Sequence, residues 1–204
     1  MVMNVDVGAK LAAVAQVVLT GFEPFSGLDA NPSWAAVQLA AQRLQQKGHE
    51  VVAIELPVTF DGATSQVAEL LSEHQPAVFI ATGVAGSAHA IRLETQAVNE
   101  INARIPDNSG AQPIGVAVHD GAAKTLPTTL PVSQIEQAWA ETGIPHEFSD
   151  NAGRYVCNAT FFTLQYVAPS SIKSGFIHVP PTAIVAIETS AQAIEIATEI
   201  VLQS

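Results

Sequence analysis

The chain has 204 residues, 8 lysines and arginines against 19 acids, and a formal net charge of −11. Charged residues make up 13%, hydrophobic residues 48%, and mean hydropathy is +0.27, which excludes disorder along the whole chain. The acid excess disfavours nucleic acid and anionic membrane surfaces, a single cysteine excludes an internal disulfide, and no apolar run approaches the ~20 residues of a membrane-spanning helix. No Cys/His spacing resembles a zinc site. The composition describes a soluble protein of a reducing, cytoplasmic compartment.

Residues 1–13 read as a loose extension ahead of one domain over 14–204. Ala13-Val14-Ala15 has the small residues of a signal-peptidase site, but the apolar stretch before it is too short for a signal core. Val14 to Phe22 is a short apolar strand bounded by the turn formers Glu23-Pro24-Phe25-Ser26-Gly27. A helix starts at Asn31-Pro32-Ser33, where the missing N–H of Pro32 costs nothing, and stops at Gly48. A strand over 51–56, a helix over about 61–72 and an apolar strand over 77–82 follow. The last is continuous, as expected of a strand buried on both faces.

Ala90 to Thr95 alternates and reads as a strand. Asn99 to Leu126 carries few helix signals and reads as a long loop, a length that marks functional or mobile segments. Helices are expected over 131–142, within 153–167 and over 183–202, with strands over 145–148 and 175–179. Strands alternating with helices predict an α/β protein, a sandwich around a mixed, mostly parallel sheet.

Ligands of such sheets gather at the carboxyl ends of the strands, and three segments put unusual residues there. Phe22 and Phe25 either clamp a flat ring in a small apolar pocket or cap the core. Cys157 lies near the start of the helix carrying Phe161, Phe162 and Leu164; there unpaired backbone N–H groups favour a thiolate and an oxyanion, although free cysteine is also a common core residue. His178 ends an apolar strand just before Pro180-Pro181, the place for a general base. His49, His74, His89, His119 and His146 sit in loops, helix ends or polar turns without such a strand. Glu94 is the candidate acid to orient an imidazole; its alternative is a solvated strand carboxylate. Gly83-Val84-Ala85-Gly86 lacks both phosphate-loop patterns. Asn158-Ala159-Thr160 matches a glycosylation sequon that has no meaning in a cytosolic chain.

Read together, Gly21-Phe22-Glu23-Pro24-Phe25, Glu94 after the Gly83 to Gly86 turn, Ala152-Gly153-Arg154-Tyr155-Val156-Cys157-Asn158 and Gly175-Phe176-Ile177-His178-Val179-Pro180 resemble the pyroglutamyl peptidase I family of cysteine peptidases. The likeness runs from about Val17 to Pro180 and includes Asn31-Pro32-Ser33-Trp34 and Ala103-Arg104-Ile105-Pro106-Asp107-Asn108. It implies a three-layer α/β/α sandwich and removal of N-terminal pyroglutamate through a thioester, with no cofactor, no metal and frequent assembly as a homo-oligomer, dimer or tetramer. Cys157 would be the nucleophile, His178 the base and acid, and Glu94 the group orienting His178. Phe22, Phe25 and Tyr155 would line the lactam pocket, with Arg104 as a nearby cation.

The departures describe a divergent member. Ser26 stands where the family usually has Gly, Ser87-Ala88 where it has Gly-Arg, Thr95 where Arg follows the glutamate, and Arg154 where Thr precedes the aromatic. The competing expectation is a relative that binds pyroglutamyl or other cyclic amides without catalysis, or one that hydrolyses another small acylated amide.

Overall fold

The computed structural model describes residues 17–25, 27 and 29–204. The expected extension over 1–13, the signal-peptidase-like triplet and the first residues of the first strand lie outside the described residues. Six strands form the central sheet: β1 (Val17–Phe22), β2 (Val51–Leu56), β3 (Val78–Val84), β4 (Ile91–Glu94), β9 (His146–Ser149) and β10 (Lys173–Val179). Their order is β2-β1-β3-β10-β4-β9. Neighbours are parallel except β10 and β4, which pair antiparallel, so the sheet is mixed and mostly parallel.

The helices are α1 (Pro32–Gln46), α2 (Phe60–His74), α3 (Val132–Glu141), α4 (Val156–Val167) and α5 (Ile187–Leu202). Each strand residue points opposite to its neighbour, so the sheet has two apolar faces to cover. Val17, Leu19, Ile80 and Ile177 pack under α1, α3 and α5, while Val18, Phe79, Ala81 and Phe176 pack under α2 and α4. This is the α/β sandwich that the alternation of elements predicts, in the three layers that the resemblance implies. β1 is buried at all six positions, which is why it reads as a continuous apolar run.

Local signals set the ends of α1. Asn31 caps it by accepting from Ser33 N at 3.1 Å, Pro32 fills its first turn, and Gly48 takes φ +93 after its last residue. The closing helix begins at Ile187 rather than near 183. Ile184 N and Val185 N both bond to Pro181 O, which spends the intervening residues on a turn.

The segment over 99–126 corrects the expectation of a long loop. It holds β6 (Ile101–Asn102) paired with β7 (Ile114–Val116), and β8 (Thr125–Pro127) paired with β5 (Gln96–Val98). Asp107 knots its centre: Oδ2 accepts from Phe60 N at 2.9 Å, and Oδ1 accepts from Ser109 N and Ala111 N, both at 2.9 Å. Asp107 thereby serves the start of α2, where Thr59 makes no side-chain cap. Burial opposes its charge, but these bonds outweigh it and hold the carboxyl below its usual range. Two- and three-residue strands closed by side-chain bonds leave no periodicity to detect.

His119 lies outside any strand, as expected. Although it lies in this loop-like stretch, its ring is fixed against α4, stacked 4.5 Å from Tyr166 with Nε2 3.0 Å from Thr163 Oγ1.

Candidate active site

β10 carries His178 at its penultimate position, and parallel pairing sets it beside Gly83 on β3. Cys157 is the second residue of α4, which crosses the same face of the sheet. A Cβ built on Gly83 would lie 2.7 Å from Cys157 Sγ and 3.1 Å from Phe176 Cζ. The absent side chain of Gly83 is therefore the space that admits the sulfur to the sheet next to His178.

Glu94 reaches the same point from the antiparallel side. On β4 it stands opposite Phe176, one pleat from His178, and its carboxylate is fully buried. His178 Nδ1 and Glu94 Oε1 are 2.7 Å apart. A carboxylate only accepts, so Nδ1 carries the proton and Nε2 is left for the sulfur. Burial opposes a charge on His178, but its hydrogen bonds to Cys157 and Glu94 more than offset this and raise its pKa to about 9. The solvated-carboxylate alternative for Glu94 is thus excluded: no part of the residue meets solvent. Glu94 Oε2 has no protein donor among the described residues.

The start of α4 carries no side-chain cap. Its cap residue, Tyr155, makes no side-chain bond to the helix, and the first backbone bond across the cap runs from Ala159 N to Tyr155 O. The N–H groups of the first turn, at Val156, Cys157 and Asn158, precede that bond and carry the positive end of the helix dipole.

The aromatic candidates separate. Phe22 is 2% exposed and belongs to the core, whereas Phe25 is half-buried and packs at its edge. Tyr155 is half-buried, lies edge-on to Phe60 at 5.4 Å and donates through its hydroxyl to Pro106 O at 2.9 Å. Burial, Asp107 and Cys157 together raise the Tyr155 pKa, which keeps the phenol protonated as that donor. Glu23 fixes the loop bearing Phe25, its Oε1 accepting from Val58 N at 2.9 Å and from Asn108 Nδ2 at 2.7 Å. Arg104 is exposed beyond β6 and pairs with no acid among the described residues.

One residue escaped the sequence reading. Asn158 is fully buried, its Oδ1 accepting from Val98 N at 2.9 Å and its Nδ2 donating to Val98 O at 2.8 Å and Glu100 O at 3.0 Å. It clasps the chain after β5 to the residue following Cys157. The signal in the sequence was a polar residue inside an apolar helix face, and burial also disposes of the sequon. The departures are accommodated locally: Thr95 Oγ1 donates to Ser149 O at 3.0 Å beside β9, and Ala88 is buried.

Concavity alone would point elsewhere. A cavity of about 530 Å³ lies between the ends of α2 and α4, lined by Leu71, Gln75, Pro76, Val167 and Ile172. It sits at the amino ends of β3 and β10, away from the thiol and imidazole.

A thiol at an open helix start, an imidazole and a buried carboxylate behind it are the equipment of a thiol-dependent acyl-transfer enzyme on an α/β scaffold. The sequence profile of the pyroglutamyl peptidase family matches residues 15–203. The pyrrolidone-carboxylate peptidase of Thermococcus kodakarensis is 37% identical over 200 residues, covering 92% of this chain and 96% of that protein. The pyrrolidone-carboxylate peptidase of Pseudomonas fluorescens is 42% identical over 166 residues, covering 80% and 78%. The crystal structure of Bacillus amyloliquefaciens pyroglutamyl peptidase I superposes with a TM-score of 0.84 at 33% identity, covering 92% of this chain and 97% of that one. The chain belongs to the pyroglutamyl peptidase family.

Proposed function

We propose that this protein removes N-terminal pyroglutamate from peptides, with Cys157 as nucleophile, His178 as proton carrier and Glu94 as the group orienting His178. The observation that carries the assignment is the buried 2.7 Å Nδ1–Oε1 contact, which turns Nε2 of His178 toward the sulfur seated on Gly83. The nucleophile is the Cys157 sulfur as thiolate, formed as His178 Nε2 takes its proton.

The thiolate attacks the carbonyl carbon joining pyroglutamate to the next residue. Electrons pass to the oxygen, which the open N–H groups of α4 receive, a stabilisation worth roughly 3–4 kcal/mol per donor in other hydrolases. As the tetrahedral species collapses, the C–N bond breaks and His178 Nε2 gives its proton to the departing amine. A thioester on Cys157 remains. The now neutral His178 takes a proton from water, whose oxygen attacks the thioester; the C–S bond breaks, releasing pyroglutamate and restoring the thiolate with the protonated imidazole.

An N-terminal lactam has no free amine, so its recognition needs shape and hydrogen bonds rather than a carboxylate partner. Phe25 and Tyr155 supply accessible apolar surface beside the thiol, Phe22 supports Phe25 from the core, and Arg104 contributes a cation at the rim. We further read residues 14–204 as one catalytic domain, working in the cytoplasm as a homo-oligomer. The exposed Ile114 and Val116 on the β6–β7 pair are apolar surface that a second copy would cover.

The assay is release of a fluorophore from a pyroglutamyl amide by the wild-type protein and by Cys157→Ala and Cys157→Ser. Loss of turnover in both variants is expected, with alkylation by iodoacetamide doing the same to the wild type. Full activity of Cys157→Ala would overturn the proposal. A protein that binds the amide without turning it over would be the non-catalytic relative, and turnover of other acylated amides alone would mark a different specificity.

A further inference from the structure

The open start of α4 creates a mechanical problem. A side chain capping the helix would occupy the N–H groups that the oxyanion needs, and Tyr155 does not cap. The turn leading to Cys157, which passes through Gly153 at φ +84, must therefore be held from outside the helix.

That hold comes from residues 98–102, which run alongside residues 154–158. Asn102 N donates to Arg154 O at 2.9 Å, and two residues earlier Glu100 meets Arg154 again, Arg154 Nε donating to Glu100 Oε2 at 2.9 Å. The Asn158 clasp closes the far end of the same ladder on Val98 and Glu100. Arg154 also binds its own turn, through Nη1 to Asn151 Oδ1 at 3.0 Å and to Gly153 O at 2.7 Å. One guanidinium thus ties the entry turn to itself and to the neighbouring segment, three residues before Cys157.

We propose that Arg154, acting through Glu100, is a positioning residue that holds the nucleophile turn in place of a helix cap. The proposal rests on the assignment of Cys157 as nucleophile. The pair is part-exposed, 31% for the Arg154 side chain and 45% for Glu100, so its effect is moderate. It acts on the placement of Tyr155 and Cys157 and touches no reacting atom.

The test compares Arg154→Thr, Arg154→Lys, Glu100→Gln and the Arg154→Thr/Glu100→Gln double variant. Three quantities are measured: kcat and KM on a pyroglutamyl amide, and the rate of Cys157 alkylation by iodoacetamide. Breaking the pair should lower kcat and the alkylation rate by about fivefold, with KM unchanged. The double variant should be no worse than Arg154→Thr alone, since that change already removes the Glu100 contact. Arg154→Lys should recover most of the loss. Wild-type rates in both Arg154→Thr and Glu100→Gln, additive losses in the double variant, or a change confined to KM would each overturn it. If Arg154→Thr does not fold, Glu100→Gln and Arg154→Lys keep the backbone ladder and carry the comparison. Alkylation needs no substrate, so a wild-type protein inactive on pyroglutamyl amides would refute the peptidase assignment while the strap is still tested.

Discussion

His178 and Glu94 meet at 2.7 Å between Nδ1 and Oε1, although they are not register partners. His178 stands opposite Arg92 and Glu94 opposite Phe176, so the contact runs along the diagonal of an antiparallel pair. The one antiparallel pairing in the sheet is what sets the carboxylate at the histidine's ring rather than past its end.

Replacing that carboxylate tests its role. Glu94→Gln keeps the volume but offers an amide to Nδ1, which permits the wrong tautomer and removes the partner of the imidazolium. A kcat loss on the order of 10²–10⁴-fold is expected, with KM much less affected. Steady-state kinetics on the pyroglutamyl amide check it; kcat within a factor of about 2 of wild type would refute an orienting role.

The direction of the His178 shift fixes the pH response. Its folded pKa of about 9 lies above the ordinary 6.5, so the folded state binds this proton more tightly than the unfolded chain does. The stabilisation it supplies is complete below pH 6.5 and is lost as pH rises through about 9. Activity should decline over the same alkaline limb, because the departing amine takes its proton from this imidazolium. In Glu94→Gln the limb should move to lower pH. Rate profiles and thermal melts between pH 6 and 10 measure both.

Gly83→Ala places a methyl group 2.7 Å from Cys157 Sγ. The backbone of β3 is held on both sides by β1 and β10, so the sulfur is the atom that moves. A loss of about 10²-fold in kcat is expected for a displacement near 1 Å. The stability cost of such overpacking is about 1–3 kcal/mol. A folded variant with wild-type kcat would show that the sulfur's seat on Gly83 is not needed.

Phe22 and Phe25 should respond differently to truncation. Phe22→Ala removes a core ring and should cost about 3–5 kcal/mol of stability, seen as a large fall in melting temperature. Phe25→Ala, at the half-buried edge, should leave the fold largely intact and raise KM for the pyroglutamyl amide. Equal KM values for wild type and Phe25→Ala would remove Phe25 from the pocket.

How much of this was legible in the sequence follows from the range of each signal. β2 reads over 51–56 because an apolar strand bounded by Glu50 and Pro57 announces both of its ends. Cys157 at the start of α4 and His178 at the end of β10 are visible for the same reason: each sits where a local pattern begins or stops. The short strands between 99 and 126 were invisible, since two or three residues closed by the Asp107 and Asn99 side chains have no period.

The sequence by itself determined the order of the central-sheet strands and the helices and the two-faced sheet, because burial periodicity and breaking residues act within a few positions; the resemblance offered Cys157, His178 and Glu94 as candidates. Only the tertiary structure decided how they meet. Glu94 and His178 are 84 residues apart and are joined by an antiparallel register. Asn158 and Val98 are 60 residues apart. The hollow under Cys157 is the missing side chain of Gly83 on another strand. Of the two ring candidates, burial assigned Phe22 to the core and left Phe25 half-buried at its edge. Contacts of this kind depend on which surfaces the packed layers bring together, and no local pattern records that.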